Sequence, residues 1–158
     1  MSFVVTTSLV LYALGMALVF GGTAALSFAA APQVFRNLPA HLAGKVFGKT
    51  LRIFDAMASI ASMVAVVGAV GAMAVTVSPA GIARLVLAAS IYAVVTLLRK
   101  AVAPKMAALK PPETEEQART WDPENRRAFD VLHKQYVRLY AANLFSSLAA
   151  LVLCVLGG

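Results

Sequence analysis

Two apolar stretches joined by a turn decide the fold. Residues 56–83 read AMASIASMVAVVGAVGAMAVTVSPAGIA and residues 85–98 read LVLAASIYAVVTLL, bounded by Asp55, Arg84 and Arg99. A helix needs about 20 apolar residues to cross the hydrocarbon core of a bilayer. Residues 78–81, Ser-Pro-Ala-Gly, are a strong turn signal. The pattern therefore predicts two antiparallel transmembrane helices, at about residues 54–77 and 81–98.

Two further apolar stretches flank this pair. No charged side chain precedes Arg36 and none follows Arg138, which predicts spans at about residues 5–30 and 137–156. Of the 158 residues, 60% are hydrophobic and 13% are charged, whereas an average soluble domain has about 25% charged residues. The sequence thus predicts an all-α integral membrane four-helix bundle that forms a single domain, residues 1–158.

Three other classes of protein fit this sequence less well. Ala29-Ala30-Ala31 resembles a signal-peptide cleavage site, but the preceding stretch lacks a basic start and is too long. A soluble bundle would need polar outer faces, and these helices are apolar nearly all round. The net charge of +7 does not indicate nucleic-acid binding, because the basic residues lie between apolar spans without interleaved aromatic residues.

The distribution of Lys and Arg predicts the orientation of the helices. Twelve of these 14 residues fall in two loops, at about residues 32–52 and 99–135, and Arg138 follows directly after the second loop. Only Arg84 lies on the other side. Loops rich in Lys and Arg stay in the cytoplasm, so both termini are predicted to lie outside it (N-out/C-out). Anionic lipid headgroups are the expected partners of these loops. The expected location is the cell membrane, as a multi-pass protein of a bacterial inner membrane.

Both cytoplasmic loops contain signals for helix. Asn37-Leu38-Pro39 offers a cap followed by a first-turn proline, so the first loop is predicted to be helical, either lying in the interface or extending span two. Gly44 and Gly48 in this loop form a GxxxG pair, which permits close helix packing. Asp122-Pro123-Glu124 is a second helix start, and the helix is predicted to continue into span four.

Polar residues within the spans fall on stripes, and such residues tend to face the interior of a bundle. On the last helix they follow a heptad spacing, which contains Phe129, His133, Tyr136, Tyr140, Asn143, Ser147, Ala150 and Cys154. The predicted ligand or ion pocket opens towards the cytoplasm and consists of Asp55, Ser59, Tyr92, Thr96, His133, Tyr136, Tyr140 and Asn143. The alternative is that these groups only form hydrogen bonds between helices.

Asp55 is the only acidic residue near a span. It is predicted to point inward and to accept a hydrogen bond from Arg52, Tyr136 or Tyr140, because a carboxylate near the membrane needs a partner. A stripe of small residues on the same helix is predicted to serve packing alone, and consists of Ala58, Ala61, Ala65, Gly68 and Ala72.

No cofactor, metal site or catalytic motif is predicted. His41 and His133 are the only histidines, and nothing in their spacing specifies a haem or a metal. The single cysteine, Cys154, excludes an internal disulfide. The sequence contains no glycine-rich phosphate loop, nucleophile elbow or zinc motif.

Two segments resemble a known family. Residues 28–39, FAAAPQVFRNLP, followed by Ala43-Gly44 and Gly48, and residues 129–133, FDVLH, resemble a family of small four-helix membrane proteins of unknown function related to eukaryotic transmembrane protein 205. In that family the last segment usually continues with a small residue and an asparagine. Here Tyr136 and Tyr140 occupy that region instead.

The resemblance supports the four-helix layout but names no reaction. It draws attention to Pro32, Phe35, Gly44 and Gly48 as packing or family-motif residues, and to His133. The family's association with resistance to platinum drugs in eukaryotes implies a loose link to transport.

The sequence leaves three functions open. The first is an integral membrane protein that transports or exports a small solute or metal-like cation through the cytoplasm-facing polar pocket. The second is a structural or accessory subunit, either as a homo-oligomer or packed against a larger membrane complex. The third is a haem- or quinone-linked membrane redox protein, which depends on His41 and His133.

Overall fold

The polypeptide folds into helices that follow the apolar stretches. The structure, a computed structural model, describes residues 3–156, and that range contains no β-strand. Its helices are α1 (Phe3–Asn37), α2 (Ala40–Val75), α3 (Pro79–Ala108), α4 (Glu115–Thr120) and α5 (Pro123–Leu156). By length and composition, α1, α2, α3 and α5 can each cross a membrane. The all-α class is confirmed, and the chain is a multi-pass membrane protein.

The helices continue beyond the predicted spans. Residues 40–52 form the first turns of α2, and α3 runs through residues 99–108. At 1.5 Å per residue, the 36 residues of α2 and the 34 of α5 span about 50 Å, whereas the hydrocarbon core is about 30 Å thick. Both helices are therefore long enough for the predicted extensions outside the membrane.

The break between α1 and α2 is set by a proline. Leu38 is extended (φ −122°, ψ 146°), because the ring of Pro39 disfavours helical backbone in the preceding residue. Asn37, predicted as a helix cap, is instead the last residue of α1, and its side-chain amide donates to the Gln33 carbonyl oxygen. The connection between α1 and α2 thus consists only of residues 38–39.

Two π-helical turns precede prolines at one end of the bundle. They cover Ala25–Ala30 in α1 and Leu98–Val102 in α3, and each is followed by an Ala-Pro pair, Ala31-Pro32 or Ala103-Pro104. A proline inside a helix lacks an N–H donor and its ring clashes with the carbonyl four residues earlier. The wider π turn accommodates this clash without ending the helix. Because short connections reverse the chain twice, α1 and α3 run in parallel and both π turns lie at the same end.

Helices α1 and α2 pack closely through glycines. A Cβ atom added at Gly15 would overlap the Ala61 carbonyl oxygen, and one at Gly68 would lie 2.5 Å from the Ser8 carbonyl oxygen. Both contacts would be far closer than van der Waals distance, so the two backbones touch where the side chain is missing. The predicted packing stripe is confirmed, since all of its members are buried: Ala58, Ala61, Ala65, Gly68 and Ala72.

The predicted close packing at Gly44 and Gly48 is wrong for the described part of the chain. A Cβ atom added at either position would meet no atom within 4 Å. The reason is that a GxxxG spacing provides a flat helix face but does not supply a partner for it. The glycine of α2 that does pack closely against another helix is Gly68, which lies further along and contacts α1.

The turn between α2 and α3 follows its prediction. Ser78 caps α3, its hydroxyl oxygen accepting from the Gly81 N–H at 3.0 Å, and Pro79 occupies the first turn. Arg84 is long enough to reach lipid headgroups from the first turns of α3, but it does not, because its side chain is only 5% exposed. The Arg84 guanidinium instead donates to the Leu153 carbonyl oxygen in the last turn of α5.

The connection between α3 and α5 is tied to the start of α2. Lys45 pairs with Glu113 at 2.5 Å, and the Thr114 hydroxyl oxygen caps α4 by accepting from the Gln117 N–H. The Trp121 indole N–H donates to the Leu109 carbonyl oxygen. Residues 109–122 therefore fold back on themselves and contact the first turns of α2.

The Lys45–Glu113 pair is expected to make this connection pH-dependent. The Lys45 ammonium lowers the pKa of Glu113 below its ordinary value of 4.5 through a hydrogen bond. A lowered pKa means that the pair stabilises the fold above pH 4.5 and stops doing so as the pH falls through the folded-state value. At pH 7, amides of residues 113–120 should exchange faster in Glu113→Gln than in the wild type. The difference should disappear as the pH falls through the folded-state pKa of Glu113, and a difference that does not shrink as the pH is lowered would contradict the assignment.

The orientation of the bundle remains a prediction, which cysteine labelling can test. In a Cys154→Ser background, Val77→Cys lies in the exposed turn between α2 and α3 and Lys110→Cys lies in the connection after α3. An impermeant maleimide applied to intact cells is expected to label position 77 and not position 110, because the Lys- and Arg-rich end faces the cytoplasm. The reverse pattern would overturn the N-out/C-out orientation. The C-terminal Gly158, predicted to lie outside, is beyond the described residues.

Candidate functional site

The predicted contact between Asp55 and the last helix is confirmed. Asp55 is 3% exposed, and the Tyr136 hydroxyl donates to its Oδ2 at 2.7 Å. Both residues are buried and they come from different long helices, α2 and α5. The hydrogen bond fixes one carboxylate oxygen and ties α2 to α5 near the predicted cytoplasmic end.

An aromatic cluster supports Tyr136. The rings of Tyr136 and Tyr140 stack with centroids 5.9 Å apart, and Phe54 meets Tyr140 edge-on at 6.2 Å. The Tyr140 hydroxyl lies beside Thr23, yet it is buried without a hydrogen-bond partner among the described residues. The Thr23 hydroxyl donates to the Val19 carbonyl oxygen of its own helix. Tyr136 therefore carries the polar contact, whereas Tyr140 mainly packs.

A cavity of about 290 Å³ opens beside Asp55, between α2 and the end of α3. Two arginines share it with the carboxylate: Arg52, one turn earlier on α2, and Arg99, in the π-helical turn of α3. Arg99 is close enough to Asp55 to act on it electrostatically. The remaining lining is small and consists of Ala103, Pro104 and Ala107.

The charges in this cavity do not cancel. Arg52 and Arg99 are both exposed, and neither forms an ion pair within residues 3–156. Asp55 already accepts the Tyr136 hydroxyl on one oxygen. Two guanidinium groups, each with five N–H donors, therefore face a cavity that holds one partly engaged carboxylate.

The other residues of the predicted pocket do not line this cavity. Ser59 is half-buried, and Asn143 is buried with its carbonyl oxygen accepting from Ser147. Tyr92 and Thr96 are half-buried on α3, and the Thr96 hydroxyl has no hydrogen-bond partner among the described residues. His133 is exposed and stacks on Phe129. Their pocket role stays a prediction, and only Asp55 lies at the cavity itself.

The four family-motif residues also lie apart from it. Pro32 is half-buried after the first π turn, and Phe35 is 53% exposed and meets Phe47 edge-on at 5.7 Å. Gly44 and Gly48 face open space. Within residues 3–156, no group of three or more His, Cys, Asp or Glu side chains comes together as a metal site.

A comparison with known protein families finds one match. Residues 14–114, more than half of the chain, match the model of a domain of unknown function, DUF4149. The chain belongs to the DUF4149 family. The comparison with curated proteins and that with solved structures found no match. Membership in an uncharacterised family is thus confirmed, and the relation to transmembrane protein 205 stays a prediction.

The DUF4149 match contains every residue that lines the cavity, from Arg52 to Ala107. It also contains the first segment on which the family resemblance was based, residues 28–39, but not the second, residues 129–133. Tyr136, which positions Asp55, lies beyond the match. The cavity of this DUF4149 protein is therefore built by the matched segment and supported by α5.

Sequence reasoning missed the α3 side of the cavity. The sequence predicts a loop at Arg99, Ala103 and Ala107, because the first charge after an apolar stretch usually marks the end of a span. A signal that the helix continues is the Ala103-Pro104 pair, because it repeats the Ala31-Pro32 pair of α1. In a helix, residues 99, 103 and 107 lie on one face, and this face meets Asp55.

Proposed function

We propose that this protein binds a small solute with an anionic group in the Arg52–Asp55–Arg99 cavity and carries it across the membrane. The observation that supports this most is the shared lining of one cavity by two arginines and a carboxylate already engaged by Tyr136. Guanidinium groups bind carboxylates and phosphates through paired hydrogen bonds. A cavity with this excess of positive charge favours an anionic or zwitterionic solute over the metal-like cation considered from the sequence.

The size and position of the cavity support a small solute. Its volume of about 290 Å³ is just below the usual range of small-molecule sites, which is about 300 to 1,000 Å³. The cavity lies where Asp55 and Arg99 mark the predicted cytoplasmic ends of two spans. A solute there is accessible from the cytoplasm, and Asp55 provides a second contact for an amino or hydroxyl group.

The architecture supports movement of one helix against the others. The α3 wall of the cavity includes a π-helical turn and Pro104, and π turns often occur at functional sites. A helix widened at this point lacks the regular hydrogen-bond ladder that stiffens it. We propose that the end of α3 opens and closes the cavity.

Thermal unfolding of the purified protein in detergent tests the binding step. A panel of carboxylates and phosphomonoesters, with alkali and divalent metal chlorides for comparison, is added to the wild type and to Arg52→Gln/Arg99→Gln. At least one anion is expected to raise the melting temperature of the wild type and to leave the double variant unchanged. Lys100→Gln is the matched control, because Lys100 adjoins Arg99 but does not line the cavity. Equal stabilisation of wild type and double variant, or stabilisation by metal cations alone, would contradict the proposal.

A further inference from the structure

A second depression lies on the opposite face of the α3 end. It has a volume of about 420 Å³ and runs between α3 and α5. Leu97, Ala101 and Lys105 line it, whereas the Asp55 cavity is lined by Arg99, Ala103 and Ala107. An offset of two residues turns a helix by about 200°, so the two sets lie on opposite faces. The end of α3 therefore separates this groove from the solute cavity.

The groove is lined by both apolar and basic side chains. From Leu97 to Lys105 the helix advances about 12 Å away from the membrane centre. Helix α5 runs in the opposite direction, so Leu139 lies at the deep end with Leu97, while Gln135 and Lys105 lie nearer the surface. Arg138 precedes Leu139 by one residue, and a long arginine side chain in this position can extend along apolar surface towards the membrane surface. The groove thus combines an apolar deep end with two cations, which are the two kinds of contact that an anionic phospholipid needs.

The two cations of the groove are available to a ligand. Lys105 and Arg138 are exposed, and neither takes part in an ion pair within residues 3–156. At the deep end Leu97 is 48% exposed beside the groove. An unpaired lysine and arginine beside an exposed apolar wall are complementary to an anionic phospholipid. Basic pockets between transmembrane helices on the cytoplasmic side are known to recognise anionic headgroups.

We propose that the α3–α5 groove holds one phospholipid with an anionic headgroup, with its phosphate at Lys105 and Arg138 and one acyl chain along Leu97 and Leu139. The proposal is independent of the solute cavity, since the two sites share no lining residue. The bound lipid fills the space between α3 and α5 and supports the segment that forms the other wall of the cavity.

Native mass spectrometry of the detergent-purified protein tests this site. The probes are phosphatidylglycerol and phosphatidylcholine, added in equal amounts. The wild type is expected to retain one phosphatidylglycerol in preference to phosphatidylcholine. Each basic residue near an anionic lipid contributes about fivefold in affinity, so Lys105→Gln/Arg138→Gln should bind phosphatidylglycerol about 25-fold more weakly. Arg126→Gln/Arg127→Gln is the matched control, because it removes two exposed charges of α5 outside the groove.

Two further measurements distinguish a lipid from a free anion. Ala101→Trp fills the groove without changing its charge and is expected to abolish phosphatidylglycerol retention, while inorganic phosphate should not displace the lipid. Arg52→Gln/Arg99→Gln should retain the lipid as the wild type does. Equal retention of both lipids, undiminished retention by the Lys105/Arg138 variant, equal loss in the Arg126/Arg127 control, or displacement by inorganic phosphate would each overturn the proposal.

Discussion

Gly68→Ala is expected to destabilise the bundle by about 1–3 kcal/mol, the usual cost of overpacking. The added methyl group would lie 2.5 Å from the Ser8 carbonyl oxygen and 2.6 Å from the Tyr12 backbone nitrogen. Backbone atoms cannot move aside as a flexible side chain can, so α1 as a whole must shift away from α2. The free energy of unfolding, measured by titration with a denaturing detergent, gives this loss directly.

The matched control is Gly48→Ala in the same helix. A Cβ atom at Gly48 meets nothing within 4 Å, and alanine is favoured over glycine within a helix by about 1 kcal/mol. This variant should therefore be as stable as the wild type or slightly more stable. If Gly48→Ala destabilised the fold as much as Gly68→Ala, the assignment of the α1–α2 contact to Gly68 would be wrong.

Tyr136→Phe is expected to cost about 1.5–3 kcal/mol of unfolding free energy, the usual contribution of a hydrogen bond to a charged group. This exceeds the average of about 0.6 kcal/mol for polar contacts between membrane helices, because the acceptor is the buried carboxylate of Asp55. Removing the hydroxyl leaves one carboxylate oxygen without its donor. The same variant should also weaken solute binding, since Tyr136 orients Asp55 at the cavity.

The neighbouring ring offers a control for this measurement. The Tyr140 hydroxyl is buried and has no hydrogen-bond partner among the described residues, so Tyr140→Phe removes an unsatisfied polar group. Its effect should lie within about 0.5 kcal/mol of zero or be stabilising. Equal losses in Tyr136→Phe and Tyr140→Phe would show that ring packing, and not the contact with Asp55, supports this end of the bundle.

The membrane spans could be predicted from the sequence because each depends on a long local signal. Uncharged stretches of about 20 residues require a helix in a bilayer, and the Ser78–Gly81 turn separates two of them. The Asp55–Tyr136 contact could also be predicted. Spans two and four begin at the same face, so their first polar residues lie at similar depth, and a carboxylate there needs a donor.

Three features could not be predicted from the sequence, namely the place of close helix packing, the partner of Arg84 and the continuation of α3 past Arg99. Gly44 and Gly48 have a recognised spacing, yet the close contact is at Gly15 and Gly68, because close packing requires an empty position on both partners. The Arg84 side chain is long enough to reach either lipid headgroups or the last turn of α5, and the sequence does not decide between the two. The sequence predicts a loop at Arg99, because the first charge after an apolar stretch usually marks the end of a span. The Ala103-Pro104 pair indicates a continuing helix only once α1 is known to continue through its own Ala31-Pro32 pair.

Crystals soaked in selenate, and separately in rubidium chloride, would test whether the cavity beside Asp55 binds an anionic group. Anomalous scattering locates each ion by its element. We expect a selenium peak within hydrogen-bond distance of both the Arg52 and the Arg99 guanidinium groups, absent from Arg52→Gln/Arg99→Gln crystals. A rubidium peak at the Asp55 carboxylate, with no selenium peak in the cavity, would contradict it.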